Sequence, residues 1–501
     1  MKFAFFRYVH YARMESMKIS LDKLFLILVI LGAMIFVIRP IEDPDFWWHL
    51  KTGQLILQDK QIPYFDDYSF TSAGKPWIAH EWLSEIIMFS TYKAGGIPFT
   101  VIFFGLLILS SFILSIFRAE KSNNLYAIGG ALLLGVILST PVLWPRPQIF
   151  TLLYASIFLF LLDRFIKTDR IRYLISLPGI MLLWVNQHGA FIIGLGIIGI
   201  FILGVFIDRS IFIIKEHKGI KDVFRKDLLI LIVILVICSL TVFVNPNGSK
   251  MFLYPFQTVN DSSLQAFNQE WASPDFHERT WIPLAVMYLS LIGFGLKAKN
   301  PISTINALLC ITFGYLALLA LKQVALFAIV SIPILAELIS GVIPFVPSKK
   351  QLNRLVIPFA VISIAGIILI GTNSIIHLKE KQDTFMVHFF PVKSVEFIEK
   401  EGIEGKIFNS YNWGGYLIWN IYPEQKVYID GRCDMYGTEF VKHFIDIYWA
   451  KPGWEKALEE DKIEYVLIEP NTYLAFALLD QPGWKTIYSD EVSVLFQNEK
   501  Y

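Results

Sequence analysis

The sequence predicts a polytopic α-helical membrane protein of about eleven transmembrane helices, N-terminus inside and C-terminus outside, followed by an extracytoplasmic α/β domain. Three observations predict it. Of the 501 residues 55% are hydrophobic and 17% charged, too apolar for an ordinary soluble chain of this length. Polar connectors of two kinds alternate between the apolar runs, and after residue 375 the pattern turns to short β-type and amphipathic helical runs.

A span needs about 20 apolar residues, fewer where its ends snorkel. Segments of this kind lie at 24–38, 98–117, 125–141, 149–163, 173–186, 190–207, 228–244, 281–297, 303–320, 323–340 and 355–371. The first follows Lys2, Arg7, Arg13, Lys18 and Lys23, as a signal peptide would. It runs on into "VIRPIEDPDF" without a small-residue cleavage site, which predicts an uncleaved helix.

One set of connectors is short and basic: the N-terminal arm, "RAEKSNN" at 118, "DRFIKTDRIR" at 163, the loop at 208–227, "KAKNP" at 297 and "VPSKKQLNR" at 346. The positive-inside rule places these in the cytoplasm. The other set carries aromatics, Pro, Gly, His and acids: 39–97, 141–148, "NQHG" at 186, 245–280, "LKQ" at 321 and everything after 372. It falls outside, in the plasma (inner) membrane's extracytoplasmic space. The domains expected are therefore 1–375, with a first outer loop at 39–97, and 376–501. In the latter, "KIFNSYNWGGYLIW", "KVYIDGR", "IEYVLIEP" and "EVSVLF" read as short β-type runs, "PVKSVEFIEKEG" and "GWEKALEEDK" as helices, and "NWGGYLIWNIYPEQKVYIDGR" as strand, turn and strand.

Composition also excludes functions. A net charge of +1 with no long basic run argues against a nucleic-acid partner. The 3 cysteines, Cys238, Cys310 and Cys433, are too far apart to suggest a disulfide framework or a Cys-based metal site.

The unusual polar residues gather in the outer set. "EDPDFWWHLKTG" brings Asp43, Asp45 and His49 just past the first span. Such a carboxylate pair can act as a general base or hold a hard cation such as Mg²⁺ or Mn²⁺; the alternative is a solvated acidic loop cap. Trp47 and Trp48 suit either an interfacial aromatic belt or a substrate platform. "KPWIAHEWLSEIIMFSTYKAGG" reads as an interfacial helix, with Leu83, Ile86, Ile87 and Tyr92 on one face and glycines closing it. His80 and Glu81 stand at its start, where Glu81 could simply complement the helix dipole. Arg146, His188 and Lys322 lie at outer ends of spans. Singly they snorkel or cap; together they could bind a phosphate or diphosphate. Asp430 and Arg432 flank Gly431, either as a structural pair or as substrate-binding groups.

The order "DPDFWWHLKTG" then "HEWLSE", leading a helix into the second span, resembles polyprenyl-phosphate-dependent membrane glycosyltransferases of the C-type superfamily. Oligosaccharyltransferases, protein O-mannosyltransferases and aminoarabinose transferases belong to that group. "YNWGGYLIW", with Trp413, is similar to the Trp-Trp-Asp-Tyr-Gly segment of oligosaccharyltransferases, with Gly414 where that motif has Asp. The chain also looks like a set of bacterial polytopic membrane proteins sharing "WVNQHG", "NPNG" and "EWASPDF". The resemblance implies a transferase moving a hexosyl or pentosyl group, with inversion, from a polyprenyl-phosphate-linked donor to a glycan, lipid or protein acceptor. It makes Asp43 or Asp45 the catalytic base or metal ligand. His49, His80, Glu81, Arg146, His188, Lys322, Trp413, Asp430 and Arg432 become candidate substrate-binding residues. Two other classes compete: a lipid or glycan transporter or flippase, and an envelope-assembly protein whose tail captures a partner. Transport favours ionisable groups at mid-membrane, and Glu337 is the main charge within the apolar runs.

Overall fold

The computed structural model of the chain describes residues 21–216, 226–260, 269–299, 301–343 and 349–501. The basic N-terminal arm, the middle of the connector at 208–227, and parts of "VPSKKQLNR" and of the connector at 245–280 lie outside the described residues.

Helix α1 (Leu21–Val37) leads into the acidic turn, from which α2 (Phe46–Asp59) starts at Asp45. Helix α3 (Trp82–Ile116) is broken at Gly95 and Gly96. Gly96 has φ 63° and ψ −158°, a conformation open essentially to glycine alone. The break separates an N-terminal arm from the span proper, so the glycines do close the first segment. Its buried face differs from the apolar one, however: Ser84, Glu85, Met88 and Thr91 are inside, while Leu83, Ile86, Ile87 and Tyr92 are half-buried. Ser84 is paid for by a 2.7 Å hydrogen bond from Oγ to the Gln187 carbonyl, which removes the cost of an unmade bond.

The remaining helices of the bundle are α4 (Leu125–Ser139), α5 (Gln148–Thr168), α6 (Leu177–Val185), α7 (Ile192–Glu216), α8 (Lys226–Thr241), α9 (Ser249–Asn260), α10 (Ile282–Lys297), α11 (Thr304–Leu319), α12 (Val324–Val342) and α13 (Lys349–Ile376). Asn124 starts α4 by accepting from the backbone N–H groups of Tyr126 and Ala127, as an N-cap should. Helix α12 is apolar but for Ser331, Glu337 and Ser340, and 78% of its span is buried, the mark of a central helix. It packs against α4, α10 and α11. Gly135 of α4 admits Ile332, whose side chain would lie within 2.4 Å of any added Cβ.

Each of the eleven expected segments contains a helix, yet fewer are long enough to cross. Among the described residues six helical runs meet the length and apolarity of a span, or seven if the bent pair Val361–Ile376 and Leu378–Phe389 is one. The nine residues of α6 rise about 1.5 Å each, under half of an apolar core about 30 Å thick.

Among the described residues the basic connectors at 118 and 163 meet at one end of the bundle, and the connectors around 186, 245, 272 and 321 lie at the other. At one end Arg118 pairs with Asp163, Arg164 and Lys167 with Glu120, and Glu337 accepts from the Lys121 N–H. Glu337 therefore caps a polar loop. At the other end Asn186 joins Leu83, Val244 and Asn245, and the Leu321 N–H reaches the Ala272 carbonyl.

Helix α13 turns through 50° into α14 (Leu378–Phe389). There follow α15 (Val392–Glu401), β1 (Ile407–Asn409), α16 (Gly414–Ile421), α17 (Cys433–Tyr436), α18 (Thr438–Tyr448), α19 (Trp454–Glu460), β2 (Tyr465–Ile468), α20 (Tyr473–Leu479), β3 (Trp484–Ser489) and β4 (Val494–Asn498). The sheet order is β1-β2-β4-β3, with β1 parallel to β2 and the other pairs antiparallel. Phe408, Val466 and Phe496 lie side by side in it and are buried.

The expected strand, turn and strand of "NWGGYLIWNIYPEQKVYIDGR" is corrected: "GGYLIWNI" is helix α16, and "KVYID" is an extended segment. Packing overrides the β-type composition. A Cβ at Gly414 would come within 2.2 Å of the Ile429 carbonyl, and one at Gly415 within 2.6 Å of the Pro44 carbonyl. Gly414 thus lets α16 lie against the extended segment that ends at Asp430, and Gly415 lets it dock on the start of α2. "KVYID" bonds instead to the first loop: Val427 N–H to the Tyr68 carbonyl, Phe70 N–H to the Val427 carbonyl, and Thr71 Oγ1 to the Tyr428 carbonyl.

Candidate active site

The acidic turn is held by a single arginine. Arg146 stands between two prolines ahead of α5, and its Nε lies 2.7 Å from Asp43 Oδ2 and its Nη2 3.2 Å from Asp45 Oδ2. Its Nη1 bonds Glu270. Burial alone would lower the arginine's pKa, but Asp43, Glu270 and Asp45 raise it above the usual range, so it stays charged. Asp43 also accepts from the Asp45 N–H at 3.0 Å, and Asp45 Oδ1 accepts from Trp48 Nε1 at 3.1 Å. Burial, then the Asp43 charge, push the Asp45 carboxyl up to about 7 against the pull of Arg146. The two acids are unequal in access: the Asp43 side chain is 4% exposed and the Asp45 side chain 23%.

Behind this turn lies a histidine–glutamate cluster. Gly53 sets it up, because a Cβ there would come within 2.0 Å of the Glu85 carbonyl. Helices α2 and α3 therefore touch, and His49, one turn before Gly53 on the same face, meets Glu85. His49 Nδ1 lies 3.2 Å from Glu85 Oε1, and its Nε2 lies 3.7 Å from Glu81 Oε2. The other oxygen of Glu81 faces His80 Nε2 and His188 Nε2, each at 3.5 Å.

The protonation of these histidines follows from their partners. His188 Nδ1 accepts from Thr151 Oγ1, which itself accepts from Trp184 Nε1, and from the Ala190 N–H. The proton of neutral His188 is thus on Nε2, towards Glu81. Burial lowers its pKa to about 4. His80 Nδ1 donates to the Ile78 carbonyl, and its Nε2 faces Glu81 and the Tyr254 hydroxyl, which donates to Asp434. Burial opposes the charged form of His80, but Glu81 outweighs it and raises the pKa. Burial pulls the pKa of His49 down to about 3.

Two cavities meet at these residues. The larger, about 230 Å³, has Leu143, Ile149, Ile193 and Leu326 among its walls. The smaller, about 140 Å³, is lined by Asp45, Trp48, His49, Trp77, Glu85 and Asp434. Glu81, Arg146, Glu270 and Lys322 border both. The Lys322 ammonium sits 2.9 Å from the Trp271 ring centroid, a cation–π contact.

The C-terminal region closes the smaller cavity. Arg432 bonds Asp430 through Nε and Nη2 at 2.8 and 2.6 Å, and its Nη2 lies 2.7 Å from Asp66 Oδ1 in the first loop. The rings of Tyr68 and Trp77 flank it at 4.8 and 4.6 Å. Asp430 is thus a buried structural partner, whereas Arg432 also lines the smaller cavity. Trp413 donates from Nε1 to the Phe389 carbonyl at 2.9 Å, is buried and lines neither cavity. Trp47 packs against Tyr416, Phe390 and Trp419 in the seam between α2 and the C-terminal region, so it is not on a lipid-facing belt.

Sequence reasoning missed Glu85 and Tyr254. Glu85 follows Glu81 by four residues, so both lie on one helical face, a signal that was legible; Tyr254 has none. Gly431 was seen only as a spacer. A Cβ there would come within 1.7 Å of Asp45 Oδ1. Gly431→Ala is expected to displace Asp45 and lower turnover about tenfold or more, since a 1 Å misplacement can cost 10²-fold. Its thermal midpoint should stay near wild type; activity unchanged with Asp45 in place would refute that role.

The cation expected between Asp43 and Asp45 meets a competitor there, since the Arg146 guanidinium already bridges both carboxylates. Among the described residues the donor geometry of a metal site is found instead at His49, Glu81 and Glu85.

No protein-family model matches the chain, and no curated protein matches it. Solved structures do. An arabinofuranosyltransferase from Mycobacteria, AftD, is similar over 94% of this chain and 41% of its own length, with 11% identity and a TM-score of 0.50. This chain thus spans less than half of that protein. An oligosaccharyltransferase from Archaeoglobus fulgidus matches over 89% of this chain and 69% of its own, at 12% identity and a TM-score of 0.49. ArnT from Cupriavidus metallidurans, bound to undecaprenyl phosphate, matches over 94% and 96%, at 11% identity and a TM-score of 0.47. At such identities the likeness concerns architecture alone: over 94% of its length the chain shares the fold of part of that arabinofuranosyltransferase.

Proposed function

We propose that the protein transfers a sugar from a polyprenyl-phosphate-linked donor to an acceptor at the outer face of the cytoplasmic membrane, with the C-terminal region, 376–501, outside. The observation that carries this reading is the place of Asp45: a half-buried carboxylate on the wall of the polar cavity, paired with Arg146, which borders both that cavity and the apolar-walled one. The apolar cavity suits the first units of a lipid chain. The polar cavity, with Trp48, Trp77 and carboxylates, suits the sugar and the acceptor hydroxyl.

Asp45 takes the proton of the acceptor hydroxyl as its oxygen attacks the anomeric carbon. The bond from that carbon to the phosphate oxygen breaks, and in-line attack inverts the centre. Arg146 is held by three carboxylates and His188 is neutral, so both act by holding the site in shape. Lys322, at the border of both cavities, is the cation placed for the departing lipid phosphate. Glu337, the main charge within the apolar runs, is satisfied at the far end of the bundle by the Lys121 N–H and so does not support the transport reading.

The test is sugar release from a panel of radiolabelled polyprenyl-phosphate sugars by purified protein in lipid, with cell envelope supplied as acceptor. Transfer from one donor supports the reading; no transfer from any donor overturns it. The pH profile follows from Asp45. A base must be ionised to accept a proton, and burial raises this carboxyl to about 7. kcat/KM should therefore fall about tenfold per pH unit below about 7, and, because burial lowers the Lys322 ammonium to about 7, fall again above it as that cation loses its proton. A profile flat from pH 5 to 8 would remove Asp45 as the base.

A further inference from the structure

Beside the acidic turn lies a second buried cluster, of one histidine and two glutamates, with a carboxylate oxygen that no neighbour satisfies. His49, Glu81 and Glu85 are each at least nine-tenths buried, and one donor atom of each lies within 4.8 Å of the others. Two carboxylates this deep in the protein cost several kcal/mol unless a cation or a proton compensates them. Glu85 spends Oε1 on His49, while its Oε2 is buried with no hydrogen-bond partner at all. A buried carboxylate oxygen without a partner calls for an explanation, and a missing ion is one.

We infer that His49, Glu81 and Glu85 form a binding site for one divalent transition-metal ion of the Zn²⁺ or Mn²⁺ type. The ion replaces neither Arg146 nor any contact of the acidic turn, so this site is separate from the Asp43 and Asp45 pair. Two carboxylates and a neutral imidazole around a divalent ion sum to zero charge within the ligand set, so the ion offsets the buried acid. One nitrogen with two oxygens selects ions that accept imidazole; Mg²⁺ prefers oxygen and keeps its water. Three protein donors leave a position open, and all three residues line the smaller cavity, so that position can face it.

The surroundings have the form of an outer shell. Glu81 turns Oε2 to His49, and its Oε1 is fixed by His80 and His188 at 3.5 Å each. These are in turn held by the Ile78 carbonyl and by Thr151. Such outer contacts orient ligands and are worth about 10–100-fold in metal affinity. Trp48 lies against His49 with ring centroids 3.6 Å apart and bonds Asp45, so an ion here would sit one side chain from the proposed base. The inference goes beyond the transfer reaction, because binding needs no donor or acceptor.

The test uses full-length protein in lipid nanodiscs, stripped with chelator, loaded with Zn²⁺, Mn²⁺ or Mg²⁺, and passed through a desalting column. Metal is then measured by inductively coupled plasma mass spectrometry. Wild type should retain about one equivalent of Zn²⁺ or Mn²⁺ and no Mg²⁺. Glu85→Gln and His49→Gln should weaken retention at least tenfold while Asp43→Asn keeps it. Zn²⁺ should also raise the thermal midpoint of wild type but not of Glu85→Gln, which reports binding without a column. Wild type retaining neither ion, or either substitution binding as wild type does, overturns the site. Metal retained by a protein that transfers no sugar would sink the proposed function and leave this site standing.

Discussion

Replacing Asp45 by Asn is expected to slow sugar transfer by about 10²–10⁴-fold, the usual worth of a positioned general base. The substitution keeps the shape of the side chain and its acceptor for the Trp48 indole, so folding should survive. Asp43→Asn should cost less and in a different way. Asp43 is closed off from the cavity and spends its oxygens on Arg146 and the Asp45 N–H, so its loss loosens the arginine and not the proton transfer. The measurement is sugar release in lipid, with kcat and KM separated for both variants. Equal losses in kcat, with equal loss of the pH step near 7, would show that the pair acts as a unit and not through Asp45.

Replacing Arg432 by Ala should destabilise the protein by about 3–5 kcal/mol, the cost of leaving buried carboxylates without their partner. Asp430 and Asp66 are both buried, and one guanidinium serves them across the seam between the C-terminal region and the first loop. A loss of that size is a large share of the stability of a typical domain, about 5–15 kcal/mol. The seam should open before the bundle does, seen as protease cleavage in 376–501 with a lowered thermal midpoint. Arg432→Lys should rescue only part, since an ammonium cannot make the two-pronged bond to Asp430. An Arg432→Ala protein as stable as wild type would mean that the two acids take up protons and need no partner.

Much of the fold was legible because it obeys one-dimensional rules. Apolar length marked each helical segment, and the alternation of basic with aromatic, acidic connectors sorted them into the two ends that the structure separates. The number of full spans was less legible, because helices such as α6 stop after nine residues and composition does not record where a helix ends in a bundle. "NWGGYLIW" was misread for a related reason: aromatic and branched residues suit strand or helix, and the close approach of Gly414 and Gly415 to two backbone carbonyls decides between them.

The residue types of the site were also on the page, as two acids past the first span, histidines at span ends and an arginine between prolines. Their roles were not. Three candidate phosphate ligands looked equivalent, and the structure divides them: Arg146 is saturated by carboxylates, His188 is neutral, and Lys322 stacks on Trp271 beside both cavities. Asp43 and Asp45 looked interchangeable until burial separated them.

By itself the sequence determined a membrane chain with its polar chemistry gathered at one end, because hydropathy and charge act on each segment independently of the rest. Only the tertiary structure decided that residues 39–97 and 376–501 build one site, that Gly431 gives Asp45 its room, and that Glu85 meets His49. Those facts depend on distances between segments far apart in sequence, and burial then sets which groups are charged, since the same carboxylate titrates differently in water and beside a buried guanidinium.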